Sequence, residues 1–505
     1  MAVNLYTWQQ SCIKAWLEHQ SRGIVQVVTG AGKTILALYA ARALQQRLQK
    51  KLNIVIIVPK TFLIGQWKSN LLSHQKELGI SRNDIGWVHG NHHQPHTKPI
   101  MLYVVNSARY SLSTTLHSLL SNDEPVLVIA DECHHYASEE NRKIFSFLSA
   151  LDAEKQCNYY ALGLSATPMV NGFSQYLVPN LGPLFFTYGF NEAMQDQVIN
   201  QAVIYNIELT MTEEQSEQYD ELSGRISSTL RRLNKAVPYL KKLKGSAFFL
   251  EIQHLCTSKE PSIADTANAL LAYFHQRRAL VYEAPQRIAC TLDLIALLES
   301  RSKIIIFGER ISQSEELYDI LKRRYPNQVV QYHSELGETA RTLALERYRS
   351  GEARIMVSCK ALDEGLDIPS ADVGILLATT SEQRQRVQRL GRILRRQSGK
   401  GKASLFYLEI GETVEERELL EEGIELVEEW HLTYTDHFIH PVYDELATTF
   451  YHALQKQKAD LYGIKQILDK GRVRNDWIED PSILAKHTTR YYSCMRSLSL
   501  LRSRM

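Results

Sequence analysis

The chain has 505 residues, with 58 Lys and Arg against 56 Asp and Glu, a formal net charge of +2 and 44% hydrophobic residues. That length calls for two to four domains, and near-neutrality excludes a protein that coats nucleic acid by bulk charge, so a strand would have to be held in a local groove. No long apolar run and no charged-then-apolar leader occurs, and the 7 cysteines form no Cys-x-x-Cys pair, a pattern that points to a cytoplasmic protein with no membrane segment, disulfide framework or zinc cage.

In chain order, short apolar runs fall at residues 24–28, 53–58, 101–105, 126–129 and 159–164, each followed by a polar turn and a helix-like stretch. Unalternating apolar runs are what strands of a parallel sheet covered on both faces look like, and strand–helix alternation implies right-handed βαβ units. The pattern returns at residues 303–307, 328–332, 354–357, 373–377 and 403–408. The fold class expected is therefore α/β with two tandem parallel-sheet domains. Residues 1–208 and 301–411 are the two lobes, residues 209–300 a Leu- and charge-rich helical bridge, and residues 412–505 a mainly helical extension. The glutamate-dense stretch 411–430 keeps helical spacing and is expected to be a solvated helix face. The histidines between His89 and His96 are read as loop residues, since no Cys or carboxylate joins them. Near His437 and His440 there is no nuclease-type carboxylate–lysine pattern.

Three groups carry chemistry in the first half. Thr29, Gly30, Ala31, Gly32, Lys33 and Thr34 follow an apolar run and open a helix, the context of a phosphate-binding loop. Glycines let backbone N–H groups curl around phosphates, Lys33 would reach the β- and γ-phosphates of ATP, and the Thr34 hydroxyl would sit on Mg²⁺. The full loop pattern has a glycine where this chain has Val27. Asp131 and Glu132 end the run 126–130, at the edge where open parallel sheets bind ligands. Asp131 would hold Mg²⁺, and Glu132 would orient and deprotonate the attacking water. Upstream, Gln9 has a carboxamide able both to donate to and accept from an adenine edge.

These residues resemble the motifs of superfamily 2 helicases. TGAGKT, the DECH at Asp131 to His134, and Ser165-Ala166-Thr167 look like motifs I, II and III. VSCKALDEGLDIP, residues 357–369, resembles motif V, and QRLGRILR, residues 388–395, resembles motif VI. The pair LDEGLDIP and QRLGRILR is most similar to the XPB-like and RadD-like branch of DNA helicases, with type III restriction subunits nearby. The resemblance spans roughly residues 5–410 and implies two RecA-like domains. It also implies arginine fingers at Arg392 and Arg395, a γ-phosphate sensor at Gln388, and contacts near the ribose and domain interface at Gly365 and Asp367. No Arg-Glu-Asp element of XPB lies between the lobes, which argues against a repair-type wedge.

The family's strand groove maps onto Pro59, Lys60 and Thr61 with Gln66-Trp67 (motif Ia), Asn106 and Ser107, Gly308 to Arg310 (motif IV) and Ser358 (motif V). Where relatives often carry threonine, this chain has Asn106. Small polar and backbone contacts position phosphates and carry no sequence information, so the expected partner is DNA, bound independently of sequence. Two other readings stand beside this one. The same core serves RNA helicases. The chain, which starts almost at the motor, could also dock through its C-terminal extension into a defence, restriction or CRISPR-interference complex with a separate nuclease.

Overall fold

The computed structural model describes residues 5–48, 50–90, 92–93, 98–298, 300–359, 371–378, 402–411, 413, 428–435 and 437–441. In the first lobe β1 (Arg22–Val27), β2 (Asn53–Val58), β3 (Ile85–His89), β4 (His92–His93), β5 (Ile100–Val104), β6 (Val126–Asp131), β7 (Tyr159–Ser165) and β8 (Leu184–Tyr188) form an eight-stranded sheet in the order β4-β3-β5-β2-β6-β7-β1-β8. All neighbours are parallel except β3 and β4. The apolar runs read from the sequence are its central strands: β2 and β6 are buried almost throughout, because helices cover both faces. Burying each Val, Ile or Leu contributes about 1.5–3 kcal/mol.

The second sheet contains β9 (Ala202–Leu209), β10 (Ile304–Gly308), β11 (Val329–His333), β12 (Ile355–Cys359), β13 (Val373–Leu376), β14 (Ala403–Ile410), β15 (Glu428–Thr435) and β16 (Phe438–Pro441). Their order is β11-β12-β10-β13-β14-β9-β15-β16, parallel throughout except at β15–β16. The architecture is the expected pair of tandem RecA-like α/β domains.

Three boundaries differ from the sequence reading. Residues 202–208 were assigned to the first lobe, but β9 hydrogen-bonds between β14 and β15 and so belongs to the second. The helix Pro285–Leu297 was assigned to the bridge, yet it buries Ile288, Cys290, Leu294 and Ile295 in the second lobe's core. In the extension from 412, expected to be mainly helical, β15 and β16 extend the sheet and Trp430, Leu432 and Tyr434 pack into that same core, while residues 442–505 lie outside the described residues. The glutamate-dense stretch thus ends in a strand from Glu428, and alternation of buried with half-buried side chains from Trp430 to Tyr434 replaces helical spacing there. His92 and His93, expected in a loop, form the short strand β4 against β3.

The bridge proper consists of helices Glu213–Ala236, Gly245–Leu255 and Pro261–Tyr282 around their own core of Ile226, Leu233, Leu240, Ile252 and Leu270. Its first helix starts sharply at Thr212, whose hydroxyl accepts from Gln215 N at 3.2 Å while Gln215 Oε1 accepts from Thr212 N at 2.9 Å. This reciprocal cap satisfies two otherwise orphaned donors. Among the described residues no helix is long and apolar enough to cross a membrane.

Candidate active site

The carboxyl ends of β1, β7 and β6 lie side by side, with β7 in the middle. After β1 the chain turns through Gly30 (φ +91°) and Gly32 (φ +99°) before the helix Lys33–Leu48 begins. Both values lie in the left-handed region open to glycine, and a Cβ on Gly32 would come within 3.0 Å of Gln9 Nε2. The turn delivers the chain to a helix N-terminus, a ready anion site. Lys33 and Thr34 stand half-buried at that terminus, Ala31 is buried beneath it, and Thr29 Oγ1 is buried with no hydrogen-bond partner.

After β6 the chain bends abruptly at Glu132, whose φ of +45° and ψ of +57° are left-handed for a non-glycine residue. Such strain persists only where surrounding structure enforces it, and it clusters at functional sites. The bend carries Glu132 across β7 to Lys33, with Nζ to Oε1 at 3.2 Å. Its other oxygen, Oε2, is buried without a hydrogen bond, 3.6 Å from His134 Nδ1. Burial works against the charged form of Glu132, but the Lys33 ammonium and His134 outweigh it and hold the carboxyl below its usual range. The neighbouring Asp131 goes the other way: burial, reinforced by the charge of Glu132, pushes its carboxyl up to about 6 despite Lys33 and two N–H donors. A buried, ionised carboxylate with an unfilled lone pair can accept a proton from water. The adjoining carboxylate, Thr34 and the orphaned Thr29 oxygen supply oxygens of the kind Mg²⁺ takes.

Two contacts brace this centre. His134 Nδ1 lies 2.9 Å from Ser165 Oγ, which also accepts from Thr167 N at 3.1 Å, so the turns after β6 and β7 are linked. Trp67 Nε1 donates to Asp131 Oδ2 at 2.9 Å in a fully buried bond. Sequence reasoning placed Trp67 only in a strand-contacting motif. A contact 64 residues along the chain leaves no local pattern, although a buried indole usually takes an acceptor.

Gln9, expected to read adenine, is buried; its Oε1 accepts from Tyr6 N at 3.0 Å and its Nε2 donates to Gly32 O at 3.1 Å. These bonds tie the N-terminal helix Thr7–Glu18 to the phosphate loop, because a buried amide must find partners.

The strand-groove residues separate by exposure. Lys60, Thr61 and Asn106 are exposed and Ser107 half-buried, at the ends of the paired strands β2 and β5. Pro59 is buried and offers at most backbone. In the second lobe Gly308 and Ser358 end the paired strands β10 and β12, both buried, and Ser358 Oγ has no hydrogen-bond partner. A side chain on Gly308 would run into the Ser314 hydroxyl. Arg310, half exposed, pairs with Glu283 at 3.4 Å. Gly365, Asp367, Gln388, Arg392 and Arg395 lie outside the described residues.

Residues 2–170 match the family described as the type III restriction enzyme, res subunit, and residues 286–397 match the helicase conserved C-terminal domain. This chain is a superfamily 2 helicase of the XPB and type III restriction branch. The helicase is 28% identical over 395 residues to the DNA 3'-5' translocase XPB2 of Sulfurisphaera tokodaii, covering 78% of this chain and 79% of that one. It is 23% identical over 406 residues to putative helicase 22 of a Sulfolobus islandicus filamentous virus, and 22% identical over 394 residues to the putative DNA 3'-5' helicase Rad25 of Halobacterium salinarum. It spans 63% and 52% of those two proteins' lengths. As a member of this family, the helicase hydrolyses ATP.

Proposed function

We propose that this helicase is a DNA-dependent ATPase that moves along or opens DNA without regard to sequence. The observation that carries the reading is the Lys33–Glu132 pair bridging β7, on the sheet edge that also presents Lys60, Thr61 and Asn106. Without nucleotide, the Lys33 ammonium neutralises Glu132. When ATP enters the loop, its β- and γ-phosphates compete for that ammonium, and Glu132 is left to align a water. Oxygen of that water attacks the γ-phosphorus, Glu132 takes its proton, and ADP leaves. Bound through Asp131 and Thr34, Mg²⁺ would supply charge neutralisation on the phosphates. Arg392 and Arg395 would complete the charge compensation from the second lobe, with Gln388 sensing the γ-phosphate and Gly365 and Asp367 near the ribose.

Phosphate contacts along Lys60, Thr61, Asn106, Ser107 and Arg310, with backbone at Pro59 and Gly308 and the Ser358 hydroxyl, would hold one strand by its backbone. Alternating grip between the lobes converts hydrolysis into steps. DNA is favoured over RNA because two of the relatives carry DNA in their names. The test is steady-state ATP hydrolysis with single-stranded DNA, duplex DNA, RNA or no polymer, each at several salt concentrations. DNA is expected to raise the rate at least about tenfold, with steep loss of DNA affinity as salt rises. Equal rates in all four conditions would remove the motor reading, and stimulation by RNA alone would replace DNA with RNA.

A further inference from the structure

Trp67 lies on the helix Thr61–Ser73, about two turns beyond the Lys60–Thr61 end of β2. The helix is clamped to the lobe: Leu63, Ile64, Trp67 and Leu71 are buried, and the Lys68 ammonium sits 3.6 Å over the Trp87 ring. The helix start at Thr61 and the buried Trp67 thus belong to one packed element. An indole has one polar atom, a donor with no acceptor capacity. Here that donor is spent on Asp131 Oδ2 at 2.9 Å, while Asp131 Oδ1 accepts from Glu132 N at 3.1 Å. The carboxylate is thus held from two sides. One donor belongs to its own turn, and the other to the helix that starts at the strand-facing edge. Apolar packing alone would be met equally by phenylalanine; only the N–H reaches the carboxylate.

We propose that Trp67 is a positioning residue that couples strand engagement at Lys60–Thr61 to the orientation of Asp131, so that nucleic acid and magnesium–nucleotide each tighten the other's binding. The inference rests on the function proposed above and names the element through which the strand reaches the nucleotide. Strand contact at the helix start moves the indole, the indole turns the Asp131 carboxylate, and the oxygens offered to the metal change. Linkage makes the effect reciprocal.

The experiment measures binding of a fluorescent ADP analogue to the full chain while Mg²⁺ is titrated, with and without oligo-dT. In the unaltered protein oligo-dT should tighten Mg²⁺-dependent binding about fivefold or more, the range of ordinary coupling. Trp67→Phe keeps ring bulk and removes the donor, and should bring that factor to within about twofold of unity. Trp67→His, which retains a ring N–H, should recover part of it. Lys76→Ala, an exposed lysine beyond the end of the helix, should keep the full factor. Undiminished coupling in a folded Trp67→Phe protein overturns the proposal. So does the absence of coupling in the unaltered protein, a reading that needs no variant to fold. If DNA stimulates hydrolysis but coupling is absent or survives in Trp67→Phe, only this inference fails. If no polymer stimulates hydrolysis, the proposed function fails.

Discussion

At the scale of single residues, the site places adjacent carboxyls in opposite states. Glu132 is held ionised by Lys33 at 3.2 Å, whereas burial lifts Asp131 to about 6. Between its ordinary 3.8 and about 6 the folded protein keeps a proton on Asp131 that the unfolded chain has lost. Stability from this group therefore falls as pH rises through that window, and the full penalty is present at pH 7. Asp131→Asn removes the buried charge. It also turns an amide N–H₂ toward one of the two donors that Asp131 now accepts from, which offsets the gain at every pH. The effect on stability in thermal or urea unfolding should therefore be more favourable at pH 7 than at pH 5 by about 1 kcal/mol. The same effect at both pH values would contradict the assignment. Glu132→Gln should still bind ATP while turnover falls below about one-thousandth, checked by nucleotide binding beside hydrolysis. Loss of binding would remove its role as base.

At the scale of elements, the strands legible in the sequence were those buried on both faces, such as β2 and β6, where β-branched residues run without interruption. The edge strand β8 was missed for another reason: its residues, LFFTY, are apolar, but five such residues fit a buried helix segment as well as a strand. β9 reads as a strand by composition, but only hydrogen bonding to β14 and β15 assigns it to the second sheet. The phosphate loop and the Asp131–Glu132 pair were fully legible, because their spacing is local chemistry. The Trp67–Asp131 and Gln9–Gly32 bonds were not, because they exist only after the chain has folded. One glycine at an element junction gives a sharp test. Gly182 precedes β8 with φ +100°, and a Cβ there would lie 2.7 Å from the backbone of Arg22 and Gly23. Gly182→Ala should destabilise the first lobe by about 1–3 kcal/mol, read by denaturant unfolding. An unchanged midpoint would contradict the described docking of β8 on β1.

At the scale of the whole molecule, the second sheet is closed by strands from beyond the region that resembles the family. β15 covers β9, and Trp430, Leu432 and Tyr434 complete the core. Ending the chain at Gly411 would expose the β9 edge and that core surface, an aggregation hazard. A chain ending at Pro441 keeps both. The shorter product should melt several degrees lower than the longer one. Equal melting temperatures would show that β15 is dispensable to the lobe. The central claim is that hydrolysis needs both lobes, with the triphosphate held by Lys33 in the first and cationic compensation supplied by Arg392 and Arg395 from the second. Its most direct test is single-turnover ATP hydrolysis with saturating single-stranded DNA, comparing Arg392→Ala with the unaltered protein, alongside nucleotide affinity. The account predicts affinity within a few-fold and a rate lower by about 10³ or more, the usual contribution of an arginine finger. A rate within tenfold of the unaltered protein would contradict it.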